Sequence, residues 1–419
     1  MKKLLLILLC LPFIGFGQGW EKTYDNSWGY SVQQTSDGGY IVGLTLGNSA
    51  NIALMKTDSQ GDSIWTQEYT FLSDEAELVK VELTLDGGYI LCGTQYNYNP
   101  FVKNGVMIKT DVNGNQQWYK TFIDVETARS IKQTSDGGYI ITGDIRTQQG
   151  DLDVWLAKTD SQGNLLWNNN FGGNNNDHGT SVKQTSDGGY IIAGVYRLMP
   201  GDTTDASNVY LIKTDSQGAV DWDIIYSNNN TSDQCWDVIE SNAGYVLFSN
   251  INQGEEFELF KTDLLGNTVW TKSPVGNYFN EGFCIQQTND GGYIIAGRGA
   301  TISAAGLSFI KTDNLGDTIW TKYFNGVEHA WGSYVQQTND GGYIATGITF
   351  SNSGAIYALY LVKTDGNGNI TSTFNIPVNP NRKLEKIVDI LGRKISPKTN
   401  LPFIEIYDDG TVEKRIVIE

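Results

Sequence analysis

The chain has 419 residues, 48 of them glycine, and its 47 acidic residues against 29 basic ones give a net charge of −18. Residues 19–376 alone carry a net charge of −21, because the segments before and after them contribute +2 and +1. So acidic a protein repels nucleic acid and anionic lipid, which excludes both as partners.

Residues 1–17 have the composition of a secretory signal peptide. Lysines at positions 2 and 3 precede the apolar run Leu4–Phe13, and small residues precede a predicted cleavage site at Gln18. This run is too short to span a bilayer and no later segment is apolar enough, so no transmembrane segment is predicted. Cys10 lies inside the apolar run and follows two leucines, which argues against a lipoprotein cysteine.

Residues 18–376 consist mainly of a sequence repeat of roughly 50 residues that occurs seven times. Its fixed parts are a Gly-Gly-Tyr turn, a Lys-Thr-Asp run and a Trp. Periods of this length are typical of propellers, solenoids and arrays. The markers are the tyrosines Tyr40, Tyr89, Tyr139, Tyr190, Tyr245, Tyr293 and Tyr343, the lysines Lys56, Lys109, Lys158, Lys213, Lys261, Lys311 and Lys363, and the tryptophans Trp65, Trp118, Trp167, Trp222, Trp270 and Trp320.

Each repeat is predicted to form four antiparallel strands, as the first copy illustrates. Two adjacent glycines before Tyr40 supply the positive φ that a tight hairpin needs, and a second turn ends at Gly61. The segments between the turns are rich in β-branched and aromatic residues. Strands A to D of this repeat are predicted at Tyr30–Thr35, Tyr40–Leu46, Ile52–Thr57 and Ser63–Thr70. Such repeats predict an all-β fold, a β-propeller.

The lengths of the connections between strands distinguish the two faces of the predicted disc. The spacing from Lys to Trp is nine residues in the six repeats that have the Trp, and the Gly-Gly turn is equally short. The spacing from Tyr to Lys varies from 16 to 23 residues. The A–B and C–D turns therefore share a uniform face, and the B–C and D–A connections share a variable face. We expect function on the variable face, where loops are free to diversify above a rigid scaffold.

The two ends of the repeat region complement each other. The seventh repeat has its Lys-Thr-Asp run, but Ser372 stands where a Trp is expected. At the other end, Trp20 lies 20 residues before Tyr40, close to the spacing of the other Trp–Tyr pairs. We therefore predict that Gly19–Tyr24 is the outer strand of the last blade, which closes a ring of seven blades and leaves no open edge.

The repeated tryptophans and Lys-Thr-Asp runs are interpreted as structural. A Trp at the same place in each blade fills the gap between neighbouring sheets, whereas stacking on sugars would require it on the variable face. The Asp of each run caps a turn. The Asp-x-x-Gly spacing resembles a calcium loop but lacks the closing Glu and the alternate oxygen ligands, so no metal site is predicted.

Cysteine and histidine usage indicates no cofactor. Beyond the signal peptide the chain keeps Cys92, Cys235 and Cys284, too few for a disulfide framework. They are buried thiols or, for the last two, a bridge. His178 and His329 belong to non-neighbouring blades and lack metal-ligand spacing. No phosphate loop, catalytic-triad motif or Cys-x-x-Cys cluster is present.

In blades two to seven, one acidic residue per blade is expected near the mouth of the central channel. Each lies 12 to 15 residues before a turn tyrosine, in the D–A connection that leads to the innermost strand. These acids are solvated turn caps or, alternatively, a negative funnel for a cation, a basic peptide or a sugar. A glycosidase would need two of them about 5 to 9.5 Å apart. The residues are Glu75, Glu126, Asp177, Asp233, Glu281 and Glu328.

Aromatic residues in the variable connections are the stronger binding signal. Exposed Tyr and Trp beside Asn and Asp suit sugar stacking or protein contact, and packing over the channel mouth would explain them equally well. They fall in the B–C connections of blades two and four and in the last D–A connection: Tyr96, Tyr98, Pro100, Phe101, Tyr196, Met199, Pro200 and Trp331.

Residues 377–419 break the repeat. They contain the turn motif Asp-Ile-Leu-Gly-Arg at 389–393 and end in a predicted β-strand with Lys414 and Arg415. This segment resembles, in abbreviated form, the type A C-terminal sorting domain of cargo of the type IX secretion system. The resemblance implies Sec export, passage of the outer membrane through the type IX machinery, and a secreted or cell-surface protein of a Gram-negative bacterium.

The third repeat carries the most regular pattern, at Asp153–Asp160 and Phe171–Gly173, whereas the fifth departs from it at Asn242–Gly244. The pattern resembles the secreted β-propeller repeats common beside this sorting domain. The resemblance implies a fold and a location, but no catalytic residues.

We therefore predict a propeller at 18–376 that binds glycan or protein through its variable face. The alternative is a polysaccharide hydrolase that uses carboxylates at the channel mouth.

Overall fold

A computed structural model of the chain describes residues 19–47, 50–71, 74–197, 207–226, 232–241, 243–251, 256–274, 279–300, 305–324, 329–350, 357–370, 383–389, 393–396, 402–408 and 412–416. The signal peptide predicted at 1–17 lies outside these residues. The chain divides into two compact units, residues 1–371 and 372–419, and each is described by itself. The described part of the chain contains no apolar helix of membrane-spanning length.

The first unit is a seven-bladed β-propeller, and every blade is a four-stranded antiparallel sheet. Strands A to D of blades one to four are β2 (Ser27–Gln34), β3 (Tyr40–Leu46), β4 (Asn51–Thr57), β5 (Ser63–Tyr69), β6 (Glu75–Leu83), β7 (Tyr89–Tyr98), β8 (Phe101–Thr110), β9 (Gln116–Phe122), β10 (Val125–Gln133), β11 (Tyr139–Arg146), β12 (Leu152–Thr159), β13 (Leu165–Phe171), β14 (His178–Gln184), β15 (Tyr190–Arg197), β16 (Ser207–Thr214) and β17 (Val220–Tyr226).

Blades five to seven repeat this order, and the last of them borrows its D strand from the start of the chain. Their strands are β18 (Gln234–Ser241), β19 (Gly244–Ile251), β20 (Glu256–Thr262), β21 (Thr268–Lys272), β22 (Phe279–Gln287), β23 (Tyr293–Ala300), β24 (Ala305–Thr312), β25 (Thr318–Phe324), β26 (His329–Gln337), β27 (Tyr343–Phe350), β28 (Tyr357–Thr364) and β1 (Trp20–Asp25).

The A strands of neighbouring blades contact one another around the axis, so strand A is innermost and strand D outermost. The core lies between the blades. Ile41 and Leu54 of blade one, for example, pack against Leu78, Val81 and Leu91 of blade two, all fully buried. Each sheet thus buries both faces of its inner strands, which explains why these strands are apolar almost without interruption.

The predicted ring closure is confirmed. Strand β1 pairs antiparallel with β28, with Trp20 opposite Lys363 and Asp25 opposite Ala358. Residues of blades one, six and seven share one hydrophobic cluster, against which Trp20 packs. Closure therefore covers the edge of β28 that would otherwise be unpaired.

The tryptophan column joins each blade to the next. The Trp65 ring lies 6.4 Å from that of Tyr89 in the following blade, and a Cβ at Gly114 would approach the same indole to 2.7 Å. Only glycine fits there, because its φ is also +80°. The structural interpretation is confirmed by the matching pairs Trp20–Tyr40, Trp118–Tyr139, Trp167–Tyr190, Trp222–Tyr245 and Trp320–Tyr343.

The lysine column fixes the A–B turn inside each blade. Lys158 lies 2.9 Å from Asp136 Oδ2 of the Asp-Gly-Gly turn and donates to the Thr159 carbonyl at 2.9 Å. Burial opposes ionisation of Asp136, but hydrogen bonds from Thr134 and Lys158 and from the Gly138 amide hold its pKa at about 2. The same ion pair occurs in five other blades: Lys56–Asp37, Lys109–Asp86, Lys213–Asp187, Lys311–Asp290 and Lys363–Asp340.

Blade five lacks this ion pair. Its turn has Asn242 in place of the Asp, and Lys261 donates to Ser241 Oγ at 2.7 Å instead. Burial lowers the pKa of Lys261. The blade keeps its sheet, so one blade folds without the turn carboxylate.

The cysteines are free thiols. Cys92, Cys235 and Cys284 are all buried, and the alternative bridge between the last two is therefore wrong. Burial raises the pKa of the Cys284 thiol to about 12. These side chains act as small apolar residues of the core.

The second unit is a small antiparallel sheet of β29 (Leu384–Val388), β30 (Pro402–Tyr407) and β31 (Val412–Ile416), in that order. The first and last residues of the sequence motif at 389–393 contact each other. Arg393 donates to Asp389 through Nε at 2.7 Å and through its amide at 3.0 Å. Residues 390–392 between them lie outside the described part of the chain.

Candidate ligand-binding site

Every innermost strand has an irregularity at the same place. The pairing of strand A with strand B shifts between Gly29 and Ser31 in blade one, and at the matching position of the other six. Such a bulge leaves one residue outside the ladder and re-aims its side chain. The seven bulge residues all line a cavity at the mouth of the channel: Tyr30, Val79, Arg129, Thr180, Trp236, Phe283 and Ser333.

This channel-mouth cavity has a volume of about 300 Å³. Its apolar wall includes Trp236 and Phe283, whose rings meet edge to face at 5.4 Å. Its cations are Arg129 and Lys80. Arg129 is fixed in place, because its Nη2 donates to Asp144 Oδ2 at 2.7 Å. The mouth therefore combines aromatic surface with hydrogen-bond donors of positive charge.

A larger cavity of about 640 Å³ opens beside the first on the variable face. Residues of blades seven, one and two line it, and ring closure brings blade seven beside blade one. Tyr30, Trp331 and Ile348 line both cavities, so the two are adjacent. We call the larger one the aromatic groove, after the seven aromatic residues that line it: Trp28, Tyr30, Tyr96, Tyr98, Trp331, Phe350 and Tyr357.

Two carboxylates in the aromatic groove are held by phenols. Tyr30 and Tyr96 donate to the two oxygens of Glu77, at 2.9 and 3.0 Å. Tyr98 donates to Glu75 at 2.6 Å. Burial, with the charge of Glu77, raises the pKa of Tyr30 and of Tyr96, so both phenols remain donors. A carboxylate offers several acceptor sites, so carboxylates held in this way can also accept hydrogen bonds from the hydroxyl groups of a ligand.

Trp331 stands where the groove meets the channel mouth. Its side chain is 39% exposed, and its ring packs edge to face on Phe350 at 5.4 Å. The Arg298 guanidinium lies 4.9 Å from the ring centroid, and Glu281 lies 3.9 Å from Arg298. An indole fixed by such neighbours presents a rigid, partly exposed surface, which is suited to stacking.

The aromatic cluster of blade two lies on a hairpin rather than in a loop. Strands β7 and β8 each run for ten residues, and only Asn99 and Pro100 separate them. Cross-strand pairing continues to Tyr98 opposite Phe101, because alternating aromatic and polar residues favour extension of the strands. The Tyr98 and Phe101 rings stack at 6.1 Å, and both are more than half exposed.

Three of the predicted acids lie on A strands rather than in connections. Glu75 begins β6, and Glu126 and Glu281 lie within β10 and β22. The strands start earlier than expected because they pair with the lengthened ends of strand B. Of the three, Glu75 lines the aromatic groove. Glu126 pairs with Arg146 and lies 4.0 Å from Lys103.

Asp177 is turned inward. It is fully buried and accepts hydrogen bonds from the amides of Gly173 and Arg197, both at 2.7 Å. Burial, with the nearby charge of Asp153, raises the pKa of Asp177 to about 6. Such a raised pKa on one of two close carboxylates is what a glycosidase requires. A polysaccharide cannot reach this pair, however, so we assign it to the packing of the Gly172–Gly173 turn.

The remaining candidates lie away from the groove or outside the described residues. Asp233 is 2% exposed. Tyr196 is half-buried and packs edge to face on Tyr210 at 5.4 Å. Glu328, Met199 and Pro200 fall outside the described part of the chain. Within the described ranges, no group of three acidic, histidine or cysteine side chains could hold a metal ion.

About half of the aromatic groove and all seven bulge residues were not predicted from the sequence. Trp28, Glu77, Phe350 and Tyr357 were not singled out, nor were the bulge residues. A signal exists for the latter: they lie ten residues before the turn tyrosine, or nine in blade five. That position varies freely in size and charge, whereas the position two residues later is always Val or Ile. Free variation beside a regular core position indicates a surface that faces solvent or ligand.

Comparisons with known proteins add the following. No protein-family model and no curated protein matches the chain. A solved structure of a puromycin hydrolase mutant complexed with PGG is similar with a TM-score of 0.47 and 12% identity, over 76% of this chain and 50% of that one. The β-propeller domain of the Trilobed protease from Pyrococcus furiosus, described as having an open velcro topology, gives 0.49 and 9%, over 84% and 98%.

The chain thus spans about half the length of the hydrolase chain that it matches. At such identities the likeness concerns the fold alone. The sheet order of the chain itself defines the class, a seven-bladed β-propeller.

Proposed function

We propose that this protein is secreted or held at the cell surface and binds a glycan in the aromatic groove. One observation carries the proposal: seven aromatic side chains surround two phenol-anchored carboxylates in a cavity of about 640 Å³. Sugar rings offer apolar faces that stack on aromatic rings and hydroxyl groups that donate to carboxylates. Small-molecule sites are commonly of this kind, mostly apolar with a few well-placed polar groups.

The shape of the site favours a glycan over a folded protein. A stable protein–protein interface buries about 800 Å² on each partner and is typically spread over a broad surface. The aromatic groove is a concavity of about 640 Å³ between three blades, adjacent to a channel-mouth cavity of about 300 Å³. A chain of a few sugar units fits a groove of this size.

The state of the two carboxylates supports binding rather than hydrolysis. A glycosidase uses one carboxylic acid as a proton donor and a second carboxylate as a nucleophile or base. Glu75 and Glu77 are two residues apart on one strand, so their side chains share a face, and both act as acceptors from tyrosines. Neither is placed as a proton donor.

The export part of the proposal rests on the two chain segments outside the propeller. The basic and apolar start of the chain indicates Sec export, and the tail carries the features that resemble a type IX sorting domain. The small sheet of the tail and the Asp389–Arg393 contact are compatible with an independent recognition element. We propose that the type IX machinery is the partner of this tail.

A glycan array probed with the full chain tests the binding proposal, followed by calorimetric titration of the best ligand. Tyr98→Ala and Trp331→Ala should each weaken binding by about 1 kcal/mol or more, the usual threshold of an interface hot spot. Both side chains are partly exposed, so the fold should melt at an unchanged temperature.

Tyr119→Ala provides the matched control, because Tyr119 is a 45% exposed tyrosine on the outer strand β9. Its loss should leave the affinity unchanged. Affinities that are equal in the wild type and in both groove variants would contradict the proposal. Release of shortened oligosaccharides during the titration would favour the hydrolase instead.

A further inference from the structure

The central channel concentrates positive charge in a strongly acidic protein. Lys80, Lys132 and Lys183 of the consecutive strands β6, β10 and β14 line a cavity of about 220 Å³ below the channel mouth. We call these residues the channel lysines. The deeper cavity and the channel-mouth cavity share Lys80, Asp237 and Tyr334, so the two are adjacent.

Two of the channel lysines have carboxylate partners. Lys132 pairs with Glu82, which also accepts from Gln33 Nε2 at 2.5 Å. Lys183 lies 3.0 Å from Asp237. Each carboxylate thus has one lysine in ion-pair contact, and two carboxylates face three channel lysines, which leaves an excess of one positive charge.

Lys80 shares these two carboxylates at longer range: burial opposes its charge, but the charges of Tyr334, Asp237 and Glu82 raise the pKa of its ammonium group. Its ammonium lies 4.3 Å from the centroid of the Tyr334 ring. No carboxylate comes within ion-pair distance of it in the described part of the chain. Burial and repulsion from Lys183 and Lys80 depress the pKa of Lys132 despite its partner Glu82, which reflects the crowding of positive charge in the channel.

The position of Lys80 relative to the groove defines what would bind. Lys80 faces the channel-mouth cavity together with the donors Arg129, Thr180 and Ser333. Trp331 and Tyr30 belong to this cavity and to the aromatic groove. A sugar ring that stacks on Trp331 can thus direct one substituent toward the ammonium group, and an anionic substituent would be stabilised there.

The overall charge of −18 does not oppose this arrangement. At physiological ionic strength, charges farther apart than about 8 Å are largely screened. A group in the channel mouth therefore senses Lys80 and Arg129 more strongly than the distant acidic surface. The low polarity of the aromatic walls strengthens the attraction further.

We propose that the channel mouth selects an acidic sugar, a uronate unit whose carboxylate contacts the Lys80 ammonium while its ring stacks on Trp331. The inference rests on the proposed glycan binding in the groove and names the class of glycan. The neighbouring units of the oligosaccharide occupy the aromatic groove, where hydroxyl groups meet Glu75 and Glu77.

A matched pair of ligands tests the charge alone. Calorimetric titration of the full chain with trigalacturonate and with its methyl ester compares the same rings with and without carboxylate charge. The free acid should bind about tenfold more tightly, the value of one charge-assisted contact. Raising the salt concentration should weaken binding of the acid and leave that of the ester unchanged.

Variants then locate the charge. Lys80→Met should abolish the preference for the acid and keep the affinity for the ester, and Lys80→Arg should restore the preference. Lys120→Met is the control, because Lys120 lies on the outer strand β9, where it donates to Asn164. Circular dichroism and melting of each variant establish that it is folded, and the arginine variant keeps the test valid if the methionine variant is unstable.

The outcomes separate this inference from the proposed function. Equal affinity for acid and ester, or a preference that survives Lys80→Met, overturns the uronate site while glycan binding in the groove stands. Tighter binding of a sulfated neutral trisaccharide or of an acidic peptide than of trigalacturonate also overturns it. If neither the acid nor the ester binds and no array glycan does, both proposals fail.

Discussion

At the scale of single residues, a lysine in six of the blades stabilises the repeat. Each of these lysines links the buried end of strand C to the A–B turn on the surface. The ammonium of Lys158 is almost fully buried, but its partner Asp136 is 60% exposed. The pair therefore avoids most of the desolvation cost of a buried ion pair. The lysine also donates to the Thr159 carbonyl at 2.9 Å. A turn that recurs in six blades thus rests on one side chain in each.

Blade five supplies an internal control for this arrangement. Lys158→Met should lower the free energy of unfolding by about 1–2 kcal/mol, the order of a hydrogen bond lost from a charged donor, with the exposed ion pair adding little. Lys261→Met should cost clearly less, because Lys261 donates to the Ser241 hydroxyl and burial disfavours its charge. Urea denaturation followed by tryptophan fluorescence measures both.

Equal losses in the two variants would show that the Asp partner contributes nothing. In that case the lysine would act only through its apolar stem and its backbone contact.

At the scale of secondary structure elements, the stability of the ring depends most on strand β1, because it alone completes a blade from a distant part of the chain. Deletion of residues 19–25 removes six backbone pairings with β28 and the Trp20 ring that packs on Tyr40. We expect a loss of about 3 kcal/mol or more, of the order measured for truncation of a large packed aromatic residue. Thermal and urea unfolding of the truncated chain measure it.

Trp20→Ala, which keeps the strand, should show a smaller loss than the deletion. Unchanged melting of the truncated chain would refute the role of β1 in closure, and so would equal losses in the deletion and the substitution.

The repeat made most of these elements predictable. Regular Gly-Gly-Tyr turns and nine-residue Lys–Trp spacing located four strands per blade, and the unmatched Trp20 located the closing strand. The hairpin at Tyr98 and Phe101 was not predicted, because Asn-Pro reads as a loop, whereas pairing along the lengthened strands continues to the turn. The aromatic groove was found only in part, because Trp28 and Phe350 stand at opposite ends of the sequence and become neighbours only when the ring closes.

At the scale of the whole molecule, our proposal gives the propeller and the tail separate tasks, and this separation is testable. Removal of residues 383–419 should leave the protein in the periplasm, because the proposed signal peptide would serve the first membrane only. The propeller contains its own closing strand, so the truncated chain should fold and bind as before. Cell fractionation with immunoblotting measures the location, and glycan titration of the periplasmic material measures the activity.

Full-length protein provides the control for the fractionation. If the truncated protein reaches the medium or the cell surface in the same yield, the tail is not a sorting signal.

Ring closure by β1 also determines when the propeller can be completed during synthesis. The first strand of the propeller to leave the ribosome is the partner of the last, since Trp20 pairs with Lys363. Blades one to six can assemble as the chain arrives, but β1 must wait, unpaired, until β28 has emerged. Contacts so distant in sequence form slowly. If the chain crosses its first membrane unfolded, as the proposed export requires, its propeller is completed only after nearly all of the chain has passed.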